Sequence, residues 1–136
     1  MAPDSPAQPI ERLIFRRRHR LSSSAEFEAV FDAKVRKTRG VVTVFVLATE
    51  RGEHRLGLSV GRKVGNAVVR GRFKRMMREA FRHQRAQLPV LEDGGHYDIV
   101  VSTRKHEALR VEDYERMFVE AVEAAHRVHL KRAGRG

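Results

Sequence analysis

The stretch GRKVGNAVVRGRFKRMMREAFR, residues 61–82, says more about structure than any other part of this chain. From Asn66 onward its apolar residues recur at the spacing of one helical face, at about 100° per residue. Asn66 is also a natural N-cap for a helix. The stretch therefore predicts an amphipathic helix that begins after Asn66 and ends near Gln84. Its apolar face consists of Val69, Phe73, Met76, Met77, Ala80 and Phe81.

The other face of this predicted helix is almost purely basic. The stretch has one acid, Glu79, against eight basic side chains: Arg62, Lys63, Arg70, Arg72, Lys74, Arg75, Arg78 and Arg82. Four of them follow one another at intervals of four residues and form a basic ridge: Arg70, Lys74, Arg78 and Arg82. Like charges at this spacing destabilise a helix by about 0.2–0.5 kcal/mol per pair. We therefore expect an anionic partner that relieves the repulsion.

The overall composition favours nucleic acid as that partner. The 136 residues have a formal net charge of +11, and the pI is about 11.1. This length fits one domain with a real core. The chain has no cysteine, which excludes disulfides, a thiolate nucleophile and a zinc knuckle. No apolar run approaches the roughly 20 residues of a membrane helix, and no signal-peptide block is seen. We expect a cytoplasmic protein with no membrane contact and no obligate protein partner.

The chain divides into a folded domain and two basic ends. Residues 1–19 predict a flexible basic tail, residues 20–130 the domain, and residues 131–136 a second basic tail. Within the domain, a capping box of Ser23 and Glu26 predicts a helix that runs to about Lys34.

Three strands and a last helix complete the prediction. Residues 41–49 are rich in β-branched side chains and predict a strand, with residues 55–61 as its hairpin partner. Residues 97–102 predict a third strand, and residues 111–129 a last helix. This order predicts an α+β fold, a single compact domain with helices packed on a small sheet.

One face of the 55–61 strand is unusually small. Gly57 and Ser59 point to it, opposite Leu56 and Leu58. Glycine inside a strand marks close approach by a ligand or by another part of the chain. The sequence leaves both possibilities open.

The sequence offers no catalytic set. GRKVGN lacks the Ser or Thr that follows the lysine of a phosphate-binding loop. The seven histidines are dispersed, and no carboxylates cluster as a two-metal nuclease would need. We predict no catalytic residue and no metal ligand, which favours an accessory subunit over a self-sufficient nuclease.

At these residues the chain resembles the protein component of bacterial ribonuclease P. The resemblance covers most of residues 19–129. It consists of Arg20-Leu21 before a helix with Phe27 and Phe31, the RLGLSV strand of residues 55–60, and the KVGNAVVR…FR helix of residues 63–82. One departure is clear: the family's Arg-Asn-Arg triplet stands here as Arg70-Gly71-Arg72.

The resemblance implies a mixed sheet with a left-handed βαβ crossover, like that of some ribosomal proteins, although right-handed crossovers are the general rule. It implies a subunit that binds a catalytic RNA and the 5′ leader of precursor tRNA. The RNA would supply the active site and bind most of the Mg²⁺, and the holoenzyme would remove the leader. Phe27, Phe31 and Phe45 would bind the leader in a cleft, unless they are core residues. Asn66 would join the eight basic residues in binding the catalytic RNA, because backbone amides at a helix N-terminus suit a phosphate.

Two other functions stay open on the sequence alone. A ribosomal-type RNA-binding module has a similar fold, so the fold cannot separate it from a ribonuclease P subunit. A protein-only nuclease is disfavoured by the missing acidic cluster.

Overall fold

Three helices and four strands make up residues 17–134, the part of the chain that the computed structural model describes. The helices are Ser24–Asp32 (α1), Ala67–Gln84 (α2) and Val111–Gly134 (α3). The strands are Arg36–Arg39 (β1), Val42–Thr49 (β2), Arg55–Leu58 (β3) and His96–Thr103 (β4). Short 3₁₀ turns cover Arg17–His19, Arg62–Val64 and Arg85–Gln87.

The strands form one mixed sheet in the order β1-β2-β4-β3. The pairs β1/β2 and β2/β4 are antiparallel, and β3/β4 is parallel. The predicted hairpin between β2 and β3 is therefore wrong, because β4 lies between them. The physical reason is the apolar run of β4. Residues 97–101 are all buried, and a strand that is buried on both faces belongs in the middle of a sheet.

The predicted α+β class is confirmed, with helices on a small mixed sheet. The chain passes from β3 through α2 to the parallel strand β4. This is the βαβ crossover that the resemblance implied, and its left hand stays a prediction. The sequence analysis missed β1, which reads RKTR. A short charged strand of this kind is typical of a sheet edge.

The predicted helix starts are confirmed by their caps. Ser23 and Glu26 form the capping box of α1. The Asn66 side chain accepts a hydrogen bond from the backbone N–H of Val69, 3.0 Å away, at the start of α2. The predicted end of α2 near Gln84 is confirmed, whereas the predicted end of α1 near Lys34 is not. α1 ends at Asp32, and Lys34 beyond it has a positive φ of 57°.

The two predicted tails reach the described part of the chain only at their inner ends. α3 continues to Gly134, so residues 131–134 of the predicted C-terminal tail are helical. Arg17–His19 forms a 3₁₀ turn with His19 buried. The other residues of both tails, 1–16 and 135–136, lie outside the described residues.

The sheet has an apolar core on each face. α2 and α3 cover one face, where Phe73, Met77, Ala80 and Phe81 of the predicted apolar arc are buried. Val69 of that arc is instead 43% exposed, because it lies in the first turn of α2 beside Gly65. α1 covers the other face, where Val30 packs with Leu21 and Val100.

Gly57 lies directly under α1. A Cβ atom at this position would come within 2.7 Å of the Phe27 ring and 3.1 Å of the Leu21 Cβ. Of the two possibilities left open, close packing by a helix is therefore the one observed. The glycine lets α1 approach the sheet.

Two glycine substitutions should move stability in opposite directions. Gly71→Ala should raise the free energy of unfolding by about 0.5–1 kcal/mol, because Gly71 lies inside α2 with nothing near its missing Cβ. Gly57→Ala should lower it by about 1–3 kcal/mol, since the Phe27 ring must move. Urea unfolding measures both. Equal stability of Gly57→Ala and the wild type would contradict the close packing.

Candidate nucleic-acid interface

A central row of four residues crosses the sheet on the face that α1 covers. Arg36, Phe45, Val100 and Gly57 lie directly opposite one another on β1, β2, β4 and β3. Cross-strand partners of this kind share one face of a sheet. The central row therefore runs from a cation at the β1 edge, across an aromatic ring, to the small residue under Phe27.

The three phenylalanines singled out from the sequence all lie on this face. The rings of Phe31 and Phe45 meet edge to face, with centroids 4.8 Å apart and planes at 84°. Phe31 is 36% exposed, while Phe27 and Phe45 are half-buried against Leu21, Val30 and Val100. The guanidinium of Arg36 lies 5.8 Å from the centre of the Phe45 ring. Phe31 and Phe45 thus form an accessible aromatic pair, and Phe27 lies over the other end of the central row.

A buried arginine fixes α1 above the sheet. Arg55 of β3 donates from Nε and Nη2 to the two carboxylate oxygens of Asp98 on β4, each 2.8 Å away. Its Nη1 donates to Glu26 of α1 at 2.9 Å. Arg55 and Asp98 are both buried. We call these three residues the Arg55 clamp, because they join α1, β3 and β4.

Hydrogen bonds favour the charged forms of two members of the clamp, Glu26 and Arg55. The backbone N–H groups of Ser22 and Ser23 donate to Glu26 and, with Arg55, lower its pKa to about 2. The hydrogen bonds from Arg55 to Asp98, together with Glu26, raise the pKa of Arg55 despite its burial. Glu26 therefore works both as part of the α1 capping box and as a member of the clamp.

A basic cleft of about 420 Å³ opens at the β3 end of the central row. Its walls come from the segment before α1, from β3 and from α2. The cations that line it are Arg17, Arg20, Lys74 and Arg78, beside Phe27 and Gly57. Burial, and then the charge of Arg20, lower the pKa of Arg78. The cations are thus close enough to repel one another, and the cleft favours an anion.

The segment before α1 is held in place at one edge of the sheet. Arg20 bridges to Leu56 in the parallel sense, and the Leu21 N–H donates to the Leu56 carbonyl at 3.0 Å. His19 is fully buried and pairs with Glu53. Burial and the nearby Arg85 lower the pKa of His19 in spite of Glu53. The sequence analysis had placed His19 in the flexible tail, and nothing in its local pattern signalled this anchor.

The other basic residues predicted to bind RNA divide into two groups. Arg62, Lys63 and Arg75 are exposed. Arg70 donates from Nε to the Gly65 carbonyl at 3.0 Å, and Arg72 donates to the Leu109 carbonyl at 2.8 Å.

Two further predicted residues already have partners. Arg82 pairs with Glu79 one helical turn away, and Asn66 serves as the cap of α2. The four residues of the basic ridge therefore differ in their surroundings. Lys74 and Arg78 face the cleft, while Arg70 and Arg82 also have partners inside the protein.

Residues 17–134 contain neither a metal-binding cluster nor a membrane-spanning helix. No three histidine, aspartate or glutamate side chains in this part of the chain converge closely enough to hold a metal ion. No helix in the same range is long and apolar enough to cross a membrane.

An α+β fold with a basic cleft, a basic helix and an accessible aromatic pair is typical of an RNA-binding protein. Comparison with known proteins narrows this class. The family model for Ribonuclease P matches residues 15–129. The ribonuclease P protein component of Desulfovibrio desulfuricans is 37% identical over 113 residues, which cover 82% of this chain and 83% of that protein. That of Brevibacillus brevis is 36% identical over 121 residues, 86% and 84% of the two chains.

Solved structures agree with the fold. The RNase P protein of Thermotoga maritima matches with a TM-score of 0.60 and 28% identity, over 74% of this chain and 92% of that one. The RNase P protein of Staphylococcus aureus matches with a TM-score of 0.63 and 23% identity, over 79% and 94%. The chain therefore belongs to the ribonuclease P protein family, whose members are subunits of ribonuclease P and act in tRNA 5′ processing.

Removing one partner of the Arg55 clamp should strongly destabilise the fold. Asp98→Asn keeps the shape and one acceptor oxygen, but it removes the negative charge and turns the second oxygen into an amide NH₂ that faces the buried Arg55 guanidinium. Breaking a buried ion pair in this way costs about 3–5 kcal/mol. Urea unfolding measures the change. Asp93→Asn is the control, because Asp93 is exposed and its single acceptor bond from Gly95 survives in asparagine. A cost below about 1 kcal/mol for Asp98→Asn would show that the clamp contributes little.

Proposed function

We propose that this chain binds the catalytic RNA of ribonuclease P and the 5′ leader of precursor tRNA in the cytoplasm. In the holoenzyme it promotes removal of the leader, which leaves the mature 5′ end. The observation that carries the proposal is the central row. It joins an accessible aromatic pair to a basic cleft on one face of the sheet.

The leader fits this face because it is single-stranded. Unstacked RNA bases stack on aromatic rings with about 1–3 kcal/mol each. Phe31 and Phe45 offer such rings, and Phe31 is exposed enough to be reached. Phosphates on either side of a stacked base need cations. Lys74, Arg78 and Arg20 provide them at the cleft end of the central row.

The catalytic RNA fits the α2 side of the molecule. Arg62, Lys63 and Arg75 are exposed there, and the basic ridge continues along the helix. Neutralised phosphates release their counterions, so such contacts make affinity depend strongly on salt. We include Asn66, Arg70, Arg72 and Arg82 in this surface, because groups that use one donor inside the protein retain others for a phosphate.

The chemistry of leader removal belongs to the RNA in this proposal. Glu26, Asp98 and Glu53 are each already paired with a basic side chain. They do not form a ligand set for Mg²⁺. We therefore propose that Mg²⁺ is held mainly by the RNA, and that the protein binds and orients the leader.

Reconstitution tests the proposed function. The protein is added to a bacterial ribonuclease P RNA and end-labelled precursor tRNA at low magnesium concentration. We expect cleavage at the mature 5′ end with both components and none with the protein alone. Protein pretreated with a nuclease and then freed of it is the control. Site-specific cleavage by that protein without RNA would overturn the proposal that the RNA carries the active site.

Phe31→Ala should weaken leader binding without unfolding the protein. Loss of one stacked base, about 1–3 kcal/mol, corresponds to a roughly 5- to 150-fold weaker affinity of the holoenzyme for precursor tRNA. The affinity for mature tRNA should not change. Leu130→Ala is the matched control, because Leu130 is exposed on α3, away from this face. Equal losses for precursor and mature tRNA would instead indicate that Phe31 has only a structural role.

A further inference from the structure

A second concentration of positive charge lies at the β1 edge of the sheet. We call it the β1 strip, and it consists of Lys34, Arg36, Lys37 and Arg39. Lys34 and Arg36 are exposed, and Lys37 and Arg39 are half-buried. Within residues 17–134, none of the four is in a salt bridge with a carboxylate. None of these four residues is among the RNA-binding residues predicted from the sequence.

The β1 strip is positive on both sides of its strand. Arg36 lies opposite Phe45, so it faces the same side of the sheet as α1. Lys37 and Arg39 lie opposite Val44 and Val42, on the side that α3 covers. Charged residues on an edge strand also prevent pairing between sheets. Preventing edge pairing would not require all the charges to be positive, and it would not require the Arg36 guanidinium to lie beside the Phe45 ring.

The strip continues the central row beyond the aromatic pair. The row begins at Gly57 beside the basic cleft and ends at Arg36, three strand spacings away, or about 14–15 Å. A row of hydroxyls runs alongside it, with Thr38 opposite Thr43 and Thr43 opposite Ser102. The hydroxyl oxygens of Thr38 and Thr43 are 2.7 Å apart. The face is therefore basic at both ends and aromatic in the middle, with polar groups beside it.

We propose that the β1 strip binds phosphates of the leader nucleotides farthest from the cleavage site. This inference rests on the proposed leader site. A single strand that begins at the basic cleft and crosses Phe45 leaves the sheet over Arg36. The catalytic RNA is the poorer occupant, because α2, the helix that carries the basic ridge, packs on β3 and α3, while β2 and β4 separate β3 from β1. The strip thus extends the leader site and makes affinity depend on leader length.

The test compares leader lengths in the reconstituted holoenzyme. The variant Arg36→Gln/Lys37→Gln/Arg39→Gln removes three charges but keeps polar side chains with part of each aliphatic stem. The affinity of the wild-type holoenzyme for precursor tRNA should rise as the leader is lengthened. In the variant, the affinity should stop rising once the leader is long enough to reach the β1 strip. For those leaders, the slope of log affinity against log salt should become shallower by about 0.7 for each lost phosphate contact. The single variant Arg36→Gln, at an exposed position, should show part of the same loss.

Two further variants separate this site from general electrostatics. Arg110→Gln/Arg116→Gln/Arg127→Gln removes three exposed cations elsewhere and should leave the dependence on leader length intact. Lys74→Gln/Arg78→Gln should weaken the binding of precursor tRNA with leaders of every length. Equal losses for short and long leaders in the β1 variant, or weaker binding of the catalytic RNA alone, would overturn the proposal. A wild-type holoenzyme that binds precursor and mature tRNA equally would refute the proposed leader site itself, and the strip with it.

Discussion

The bidentate ion pair between Arg55 and Asp98 is the constraint on which the rest of the structure depends. It joins two parallel strands that α2 separates in the chain, and the third donor of Arg55 reaches Glu26 at the start of α1. A planar guanidinium with five donors can bind one carboxylate through two parallel hydrogen bonds and still reach a second carboxylate, whereas a lysine ammonium has no such planar fork. Without this clamp the apolar contacts of Phe27 and Val30 would still hold α1 on the sheet, but its polar link to β3 would be lost.

The position of α1 decides how the cations and the aromatic rings act together. Gly57 lets Phe27 lie directly on β3, and Phe31 meets Phe45 two strands away. The segment that precedes α1 is anchored through His19 and Leu56, so Arg20 is held beside Lys74 and Arg78. A surface for single-stranded RNA thus arises where three separate parts of the chain meet. The segment before α1 and the helix α2 contribute cations, and α1 and β2 contribute aromatic rings.

Local patterns in the sequence predicted the helices well and the sheet less well. The helical spacing of Phe73, Met77 and Phe81 and the cap at Asn66 are signals contained within a few residues. The order of the strands is not such a signal, because β2 and β3 are neighbours in sequence and β4 still separates them. β1 has no apolar alternation to reveal it. The Arg55 clamp joins residues 43 positions apart, which only the folded sheet brings together.

The central place of β4 also sets the order in which the molecule can assemble. β1 and β2 pair locally, with two residues between them, and can form early. β3 has no strand beside it until α2 has crossed and β4 has arrived, and contacts so distant in sequence form slowly. α1, although nearly the first element of the chain, needs Val100 and Asp98 of β4 to dock. The RNA-binding face therefore cannot be complete before β4 joins the sheet.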